Sequence, residues 1–420
     1  MSPRLAETCL RPLLTPAVWK SFLHSTDHLT DLAGEGERLT QSRRTSGLLV
    51  HRRVPTCPLR VSLRGSESMC SPMTSTDVSL TAKPTSGTDF ARLAKEIKHA
   101  GLLDRRRGYY AARIAINALL MAAGVLAFVL LGDSWWQLLN AAFLGLVFTQ
   151  FAFIGHDAGH GQIFRTRQTN DLVGYVHGGV TGISYQWWVT KHNLHHAHPN
   201  HEDHDPDIDI PALAFSRGQS SVKQGIYRWV AKYQAFLFFP LLLLEAMMLR
   251  ISSFQAVLSR EVKRPILEGA LLTIPFVTYI AGLFIVLSPA QAVLFIVVNQ
   301  GVMGVYLGCS FAPNHKGMPI LSREEELDHL RRQVLTSRNI SGGRWVDGLL
   351  GGLNYQIEHH LFPHMPRPNL RRAQPIVRDF CARHGISYSQ CGLVTSYAIV
   401  LRHLHDAGAP LRRRARLSSS

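Results

Sequence analysis

Three short stretches of the chain carry histidines at spacings that suit metal binding. His156-Asp157-Ala158-Gly159-His160 sets two imidazoles four residues apart, His192-Asn193-Leu194-His195-His196 sets three at i, i+3 and i+4, and Gln356-Ile357-Glu358-His359-His360 ends on an adjacent pair. On a helix those spacings share one face, so the rings of one cluster can approach a common ion. A single pair reads equally well as interfacial polar residues; three clusters do not. Neutral imidazole is the commonest side-chain ligand and suits Zn, Cu, Fe and Ni. A zinc site takes three or four ligands. The clusters supply seven histidines, and His315, in Ala312-Pro313-Asn314-His315-Lys316, makes eight, enough for two metals. Soluble di-iron proteins rely mainly on carboxylates with a pair of histidines, so this is a distinct, His-rich di-metal arrangement. Asp157 and Glu358 read as partners that orient an imidazole through its free N–H, with direct ligation as the alternative.

The elements that must position these rings are apolar. Runs from Ile114 to Leu131 and from Trp135 to Ile154 are joined by Gly132-Asp133-Ser134, and a second pair, Gly269 to Leu287 and Ala290 to Phe311, breaks at Ser288-Pro289. Each is about the 20 residues a helix needs to cross ~30 Å of hydrocarbon, and only helices satisfy their own backbone there. Arg105, Arg106, Arg107 and Arg113 precede the first run, Arg165 and Arg167 follow the second, and Arg260, Lys263 and Arg264 precede the third, while neither hairpin tip carries Lys or Arg. The positive-inside rule then turns both tips outward and leaves the histidines and both termini cytoplasmic. A fifth apolar run, Ala235 to Leu249, is short, contains Pro240 and Glu245, and reads as a helix lying in the membrane interface. The expected fold is all-α and polytopic: four transmembrane helices as two hairpins under a cytoplasmic helical cap.

Composition agrees. Of 420 residues, 46% are hydrophobic, concentrated in those runs, and Lys+Arg 45 exceeds Asp+Glu 29 to give a formal charge of +16. The excess follows the membrane-flanking rule, which speaks for anionic lipid headgroups and against a nucleic-acid partner. Six scattered cysteines without a CxxC pair exclude a disulfide scaffold. Residues 1–85 read as a loosely ordered basic extension, with Met69 or Met73 as a candidate physiological start, residues 86–395 as the membrane domain and residues 396–420 as a basic tail.

HDAGH, HNLHH and QIEHH, in this order and on this topology, resemble the three histidine boxes of the integral-membrane fatty acid desaturases. Gln356, opening the third box in GGLNYQIEHHLFP, is similar to the front-end subgroup, and WWVTKHNLHH with Asp205-Pro206-Asp207-Ile208 agrees; the likeness covers roughly residues 95 to 390. The resemblance implies two non-haem Fe ions held by His156, His160, His192, His195, His196, His359 and His360, with His315 matching the family's extra histidine. It also implies O2 as co-substrate and a cis double bond placed in a long acyl chain carried by CoA, a carrier protein or a lipid. No His-Pro-Gly-Gly haem motif occurs, so a separate electron donor of ferredoxin or cytochrome b5 type, with its reductase, is expected. As an integral membrane protein the chain would reside in the plasma membrane if bacterial.

Two rival readings use the same residues. A membrane hydroxylase of acyl chains, alkanes or carotenoids would share the His clusters, while a His-rich metal transporter or sensor would place ionisable groups along the spans themselves. Among the remaining histidines, His198, His201 and His204 read as part of a solvated acidic loop with Asp205, Asp207 and Asp209, His177 as a satisfied polar residue near the core, and His364 as structural. Trp187 and Trp188 read as interfacial anchors, with substrate-channel lining as the alternative.

Overall fold

The computed structural model describes residues 88–322, 325 and 327–412; the expectations for residues 1–85 and for the last part of the basic tail, residues 413–420, lie outside them. The chain enters through α1 (Thr88–His99) and rises along α2 (Arg107–Leu131) and α3 (Gln137–Gly159). It then folds α4 (Arg167–Thr181), α5 (Tyr185–Ala197), α6 (Arg217–Val222), α7 (Gly225–Leu242) and α8 (Glu245–Leu258) before the second hairpin, α9 (Pro265–Val286) and α10 (Pro289–His315). The last part holds α11 (His329–Leu335), β1 (Asn339–Ser341), α12 (Gly343–Leu349), α13 (Gln356–Leu361), α14 (Arg367–Arg383), β2 (Gln390–Gly392) and α15 (Leu393–Ala407). The two strands form one short parallel pair, Ile340 against Cys391, in an otherwise helical fold.

Among the described residues, helices α2, α3, α9 and α10 are the four single helices long and apolar enough to cross a membrane. They are not equivalent. Along the most apolar windows 56% of α3 and 44% of α10 is buried, against 11% each for α2 and α9, so α3 and α10 form the centre and the other two face outward. Interior amides tie them together, as hydrocarbon favours: Asn299 Nδ2 donates to the Ala141 carbonyl at 3.0 Å and Asn140 Nδ2 to that of Gly124 at 3.1 Å. The hairpin tips meet, with the Ser288 N–H donating to Asp133 Oδ1 at 2.9 Å, so both turns lie at one end of the bundle.

The fifth apolar run is a correction to the sequence reading. It does not form one interfacial helix but divides between α7 and α8, which meet at 83°. Pro240 has no N–H for the helix ladder, and the chain tightens into three-residue bonds, Leu243 N to Pro240 O at 3.3 Å and Leu244 N to Leu241 O at 3.0 Å. Because His195 before this pair and His315 and His360 after it meet at one site, the chain returns to the side from which it entered. The proposed tail boundary at residue 396 also falls inside a packed element: α15 buries Ser396, Val400 and Leu404.

The bend is held against α10 by absence of a side chain. A Cβ at Gly304 would lie 2.4 Å from the Leu242 carbonyl oxygen and 3.1 Å from the Ala246 nitrogen. Gly304→Ala should therefore destabilise the fold by about 1–3 kcal/mol through overpacking. Gly282→Ala, with nothing within 4 Å of the new methyl, should be neutral or slightly stabilising. Thermal unfolding of the two variants in detergent checks the contrast.

Candidate metal centre

Helix α3 does not stop at its apolar stretch. It runs on to Gly159, which carries His156 into its last turn and leaves His160 at the C-cap. Helix α10 likewise ends on His315. Between them, α5 starts where Ser184 Oγ accepts from the Trp187 N–H at 3.3 Å, and it presents His192, His195 and His196 from its last two turns. Helix α13 brings His359 and His360, fully buried, after the turn at Gly351 and Gly352. Both glycines have positive φ (61° and 78°), and a Cβ on Gly351 would sit 2.7 Å from the Phe153 ring. Only glycine lets this turn lie so close to α3.

The eight candidate histidines converge. One group, His156, His160, His192 and His359, and a second, His195, His315 and His360, each offer one ring nitrogen per residue within 4.8 Å of the others. His196 lies between the groups, stacked on His360 at 4.1 Å and 4.6 Å from both His160 and His192. The spacing of the lone pairs is what a metal site needs. His192 Nε2 and His196 Nε2 are 3.1 Å apart, as are His315 Nε2 and His360 Nε2. Two nitrogens each about 2.1 Å from one ion, at ligand angles near 90–110°, lie roughly 3.0–3.4 Å apart. Nε2 of His156 and of His160, and both ring nitrogens of His359, are buried with no protein partner. A buried polar atom without a partner is costly; an ion accepting these lone pairs would remove the cost.

The opposite ring nitrogen of several imidazoles is tied down. His195 Nδ1 donates to Asp205 at 2.9 Å, His315 Nδ1 to the Thr336 carbonyl at 3.0 Å, and His360 Nδ1 to Gln333 Oε1 at 2.9 Å. His156 Nδ1 faces Asp157 at 3.2 Å, and Asp157 pairs with the buried Arg367 at 2.6 Å. These bonds fix the tautomer so that Nε2 presents a lone pair. Gln333 also donates to the His196 carbonyl at 2.8 Å, joining α5 to α13. Gln356 reaches the site: its Nε2 is 2.9 Å from His315 Nε2, and its Oε1 accepts from Asn314 at 3.1 Å.

Several expectations are corrected. Glu358 orients none of the box imidazoles: its carboxylate accepts from Asn339 Nδ2 and Tyr388 Oη, both at 2.7 Å, and ties α13 to β1. Asp205 is buried and so leaves the solvated loop, in which His204 and Asp209 are exposed and Asp207, half-buried, pairs with Lys191. His198, His201 and His204 form a separate group with ring centroids 4.5–6.1 Å apart. Trp188 stacks on His192 at 4.5 Å, and both it and Trp187 pack against Ile183, Ala246 and Leu307 inside the fold. His177 is satisfied at one nitrogen only. His364 keeps a structural place, its Nδ1 on the His160 carbonyl. Sequence reasoning missed Gln333, Thr336 and Arg367. It places Asp205 in flanking text and in an acidic loop, although a carboxylate ten residues after a cluster histidine is the available signal.

A small cleft of about 60 Å³ adjoins His156, walled by Gly155, Gly174, Leu249, Leu307 and Phe311 among others. It is mostly apolar and reaches from the histidines toward the interior of the bundle.

Burial, followed by the proximity of the other rings, pushes His160, His192, His196, His359 and His360 well below the ordinary histidine pKa. They are neutral and ready to ligate. For His195 burial acts the same way, but Asp205 and Asp207 outweigh it and raise the pKa. Burial pushes Glu358 up to about 7 against its two hydrogen bonds. For the five depressed rings the unfolded chain, titrating near 6.5, binds more protons than the folded one below that pH, so the stability of metal-free protein falls as pH drops. The slope is up to ~1.4 kcal/mol per pH unit for each ring. His195 has the opposite sign, its contribution being lost as pH rises, and one ring does not offset five. The melting temperature of chelator-treated protein should fall from pH 7.5 to pH 5.5; an unchanged or higher value would contradict the buried neutral cluster.

Comparison with known proteins came to the same place. The fatty acid desaturase family profile matches residues 133–392, more than half of the chain. An acyl-lipid (9-3)-desaturase of Physcomitrium patens is 33% identical over 331 residues, covering 76% of this chain and 62% of that protein. A Delta(8)-fatty-acid desaturase of Helianthus annuus is 29% identical over 342 residues (77% and 74%), and the Delta(6)-fatty-acid desaturase fat-3 of Caenorhabditis elegans is 29% identical over 359 residues (81% and 79%). With its four membrane-length helices and its converged histidines, the chain belongs to the fatty acid desaturase family.

Proposed function

We propose that this chain is an O2-dependent acyl desaturase that introduces a cis double bond into a long-chain acyl group, with His156, His160, His192, His195, His196, His315, His359 and His360 holding two non-haem iron ions. The observation that carries the reading is the opening of the imidazole cluster onto a mostly apolar cleft, through His156. Such iron, with O2 and two external electrons, supplies the oxidant that an unactivated methylene demands and no side chain provides. The protein's own work is positional. Leu249, Leu307 and Phe311 offer a hydrocarbon chain a dry wall, and the depth to which the chain enters would select the methylenes beside the metals.

The same reading assigns the surroundings. Residues 86–395, extended through α15, form the desaturase domain. The hairpin tips face away from the cytoplasm and the histidine end toward it, on the charge rule. The electron donor is a separate protein, and exposed arginines at this end suit an acidic one as well as lipid headgroups.

His195→Ala should lose more than half of the bound iron and all product, because it removes a ligand and strands Asp205. Iron by mass spectrometry and lipid double bonds by gas chromatography check the two losses in one preparation. Normal alkene formation by the iron-depleted variant would overturn the assignment, and a hydroxylated chain in place of an alkene from the parent protein would transfer it to the hydroxylase class.

A further inference from the structure

His177 lies on α4, one wall of the cleft beside His156. It is 4% exposed, and its ring is held in one orientation. Nδ1 donates to the Val173 carbonyl one turn back at 2.8 Å, which leaves Nε2 as a bare acceptor; Nε2 is buried and no protein group donates to it. The neighbouring hydroxyls cannot help, because Thr181 donates to the His177 carbonyl at 2.9 Å and Tyr185 to Asp171 at 2.7 Å. Burial, only partly opposed by the Val173 bond, lowers the ring's pKa and keeps it neutral. The cleft around it is mostly apolar, walled by Ala152, Leu249, Leu307 and Phe311, and the other polar side chains that line it, His156, Thr181 and Tyr185, do not donate to Nε2. A plain hydrocarbon occupying the cleft would leave this acceptor unpaired.

We infer that His177 is a positioning residue that selects substrates carrying a hydrogen-bond donor, a hydroxyl or amide N–H, within a few carbons of the reacting methylenes. The inference rests on the acyl desaturase reading above. The distance is short because Gly155, the residue before His156, packs on His177: a Cβ there would lie 3.6 Å from that of His177. A donor bonded to Nε2 fixes the register of the chain along the cleft, and a chain without one leaves the acceptor desolvated. The difference between making that bond and leaving the acceptor bare is worth about tenfold in selectivity.

The test uses the full chain in microsomes of a host without such a desaturase and offers matched acyl substrates. One pair differs by a hydroxyl near the carboxyl end and the other by an amide in place of an ester linkage. The parent protein should favour a donor-bearing member about tenfold in kcat/KM, mainly through KM, and whichever pair shows the preference identifies the donor. His177→Leu should bring that ratio close to one with its iron content retained, and His177→Gln, which keeps an acceptor, should restore part of it. If the leucine variant does not accumulate, His177→Met takes its place. Equal use of both members of both pairs by the parent, or a preference that survives loss of the acceptor, overturns the inference while leaving the desaturase reading intact. Failure of the iron-loaded parent to form an alkene from any of the four substrates overturns that reading instead.

Discussion

Eight imidazoles facing one another out of water are the condition to which the rest of the molecule answers. Burial makes most of them neutral, and neutrality leaves lone pairs that repel at 3.1 Å unless a proton or an ion stands between them. A folded chain can keep such an arrangement only if other interactions hold each ring from behind. That is the task of Asp157, Asp205, Thr336 and Gln333, and behind them of Arg367 and Lys191. The supports come from helices and loops far apart in sequence, so the site is a tertiary product and not a local motif.

Membrane-length helices are the means of bringing these parts together. Helices α3 and α10 are the central pair, and both outrun their most apolar stretch by enough to carry His156 and His315 past it. The outer pair, α2 and α9, mainly shields them. At the histidine end Arg338 shows how tightly the cap is joined to the spans: fully buried, it donates through Nε to the Pro313 carbonyl at 3.0 Å and through Nη2 to that of Lys316 at 2.9 Å. It thereby satisfies carbonyls that the end of α10 leaves open. The same helix end is held from the other side by Asn200, whose Nδ2 donates to the His315 carbonyl at 3.1 Å.

What could be read from the sequence was what repeats at short range. The i, i+4 spacing of His156 and His160 and the length of four apolar runs are properties of single helices, and the structure keeps both. The bend between α7 and α8 was not legible, because its geometry depends on the bare face of Gly304 in another helix. The same limit explains Glu358. Its place beside two candidate ligands suggested a role on the metal side, but a one-residue step along α13 turns a side chain by about 100°, and the carboxylate points to Asn339 and Tyr388. Trp188 was misread for a related reason. A tryptophan near a span end has an interfacial use by default; its i, i+4 stack on His192 within α5 is a single-helix property, but the packing of that face inside the fold is a tertiary one.

The choice of imidazole over carboxylate has an electrostatic consequence. In a carboxylate-rich site each anionic ligand cancels part of the ion's charge. Imidazoles that ligate do so uncharged, and the nearest anions stand one hydrogen bond further back, already engaged: Asp157 with Arg367, Asp205 with His195 and Asp207 with Lys191. Divalent ions held by these rings would therefore keep most of their positive charge within a buried, weakly screening interior. Such a centre would attract electron-rich small molecules and would favour gaining electrons over losing them. An all-carboxylate site would lean the other way, and a hydrocarbon lying in the adjoining cleft has no polar group with which to compete for the metals.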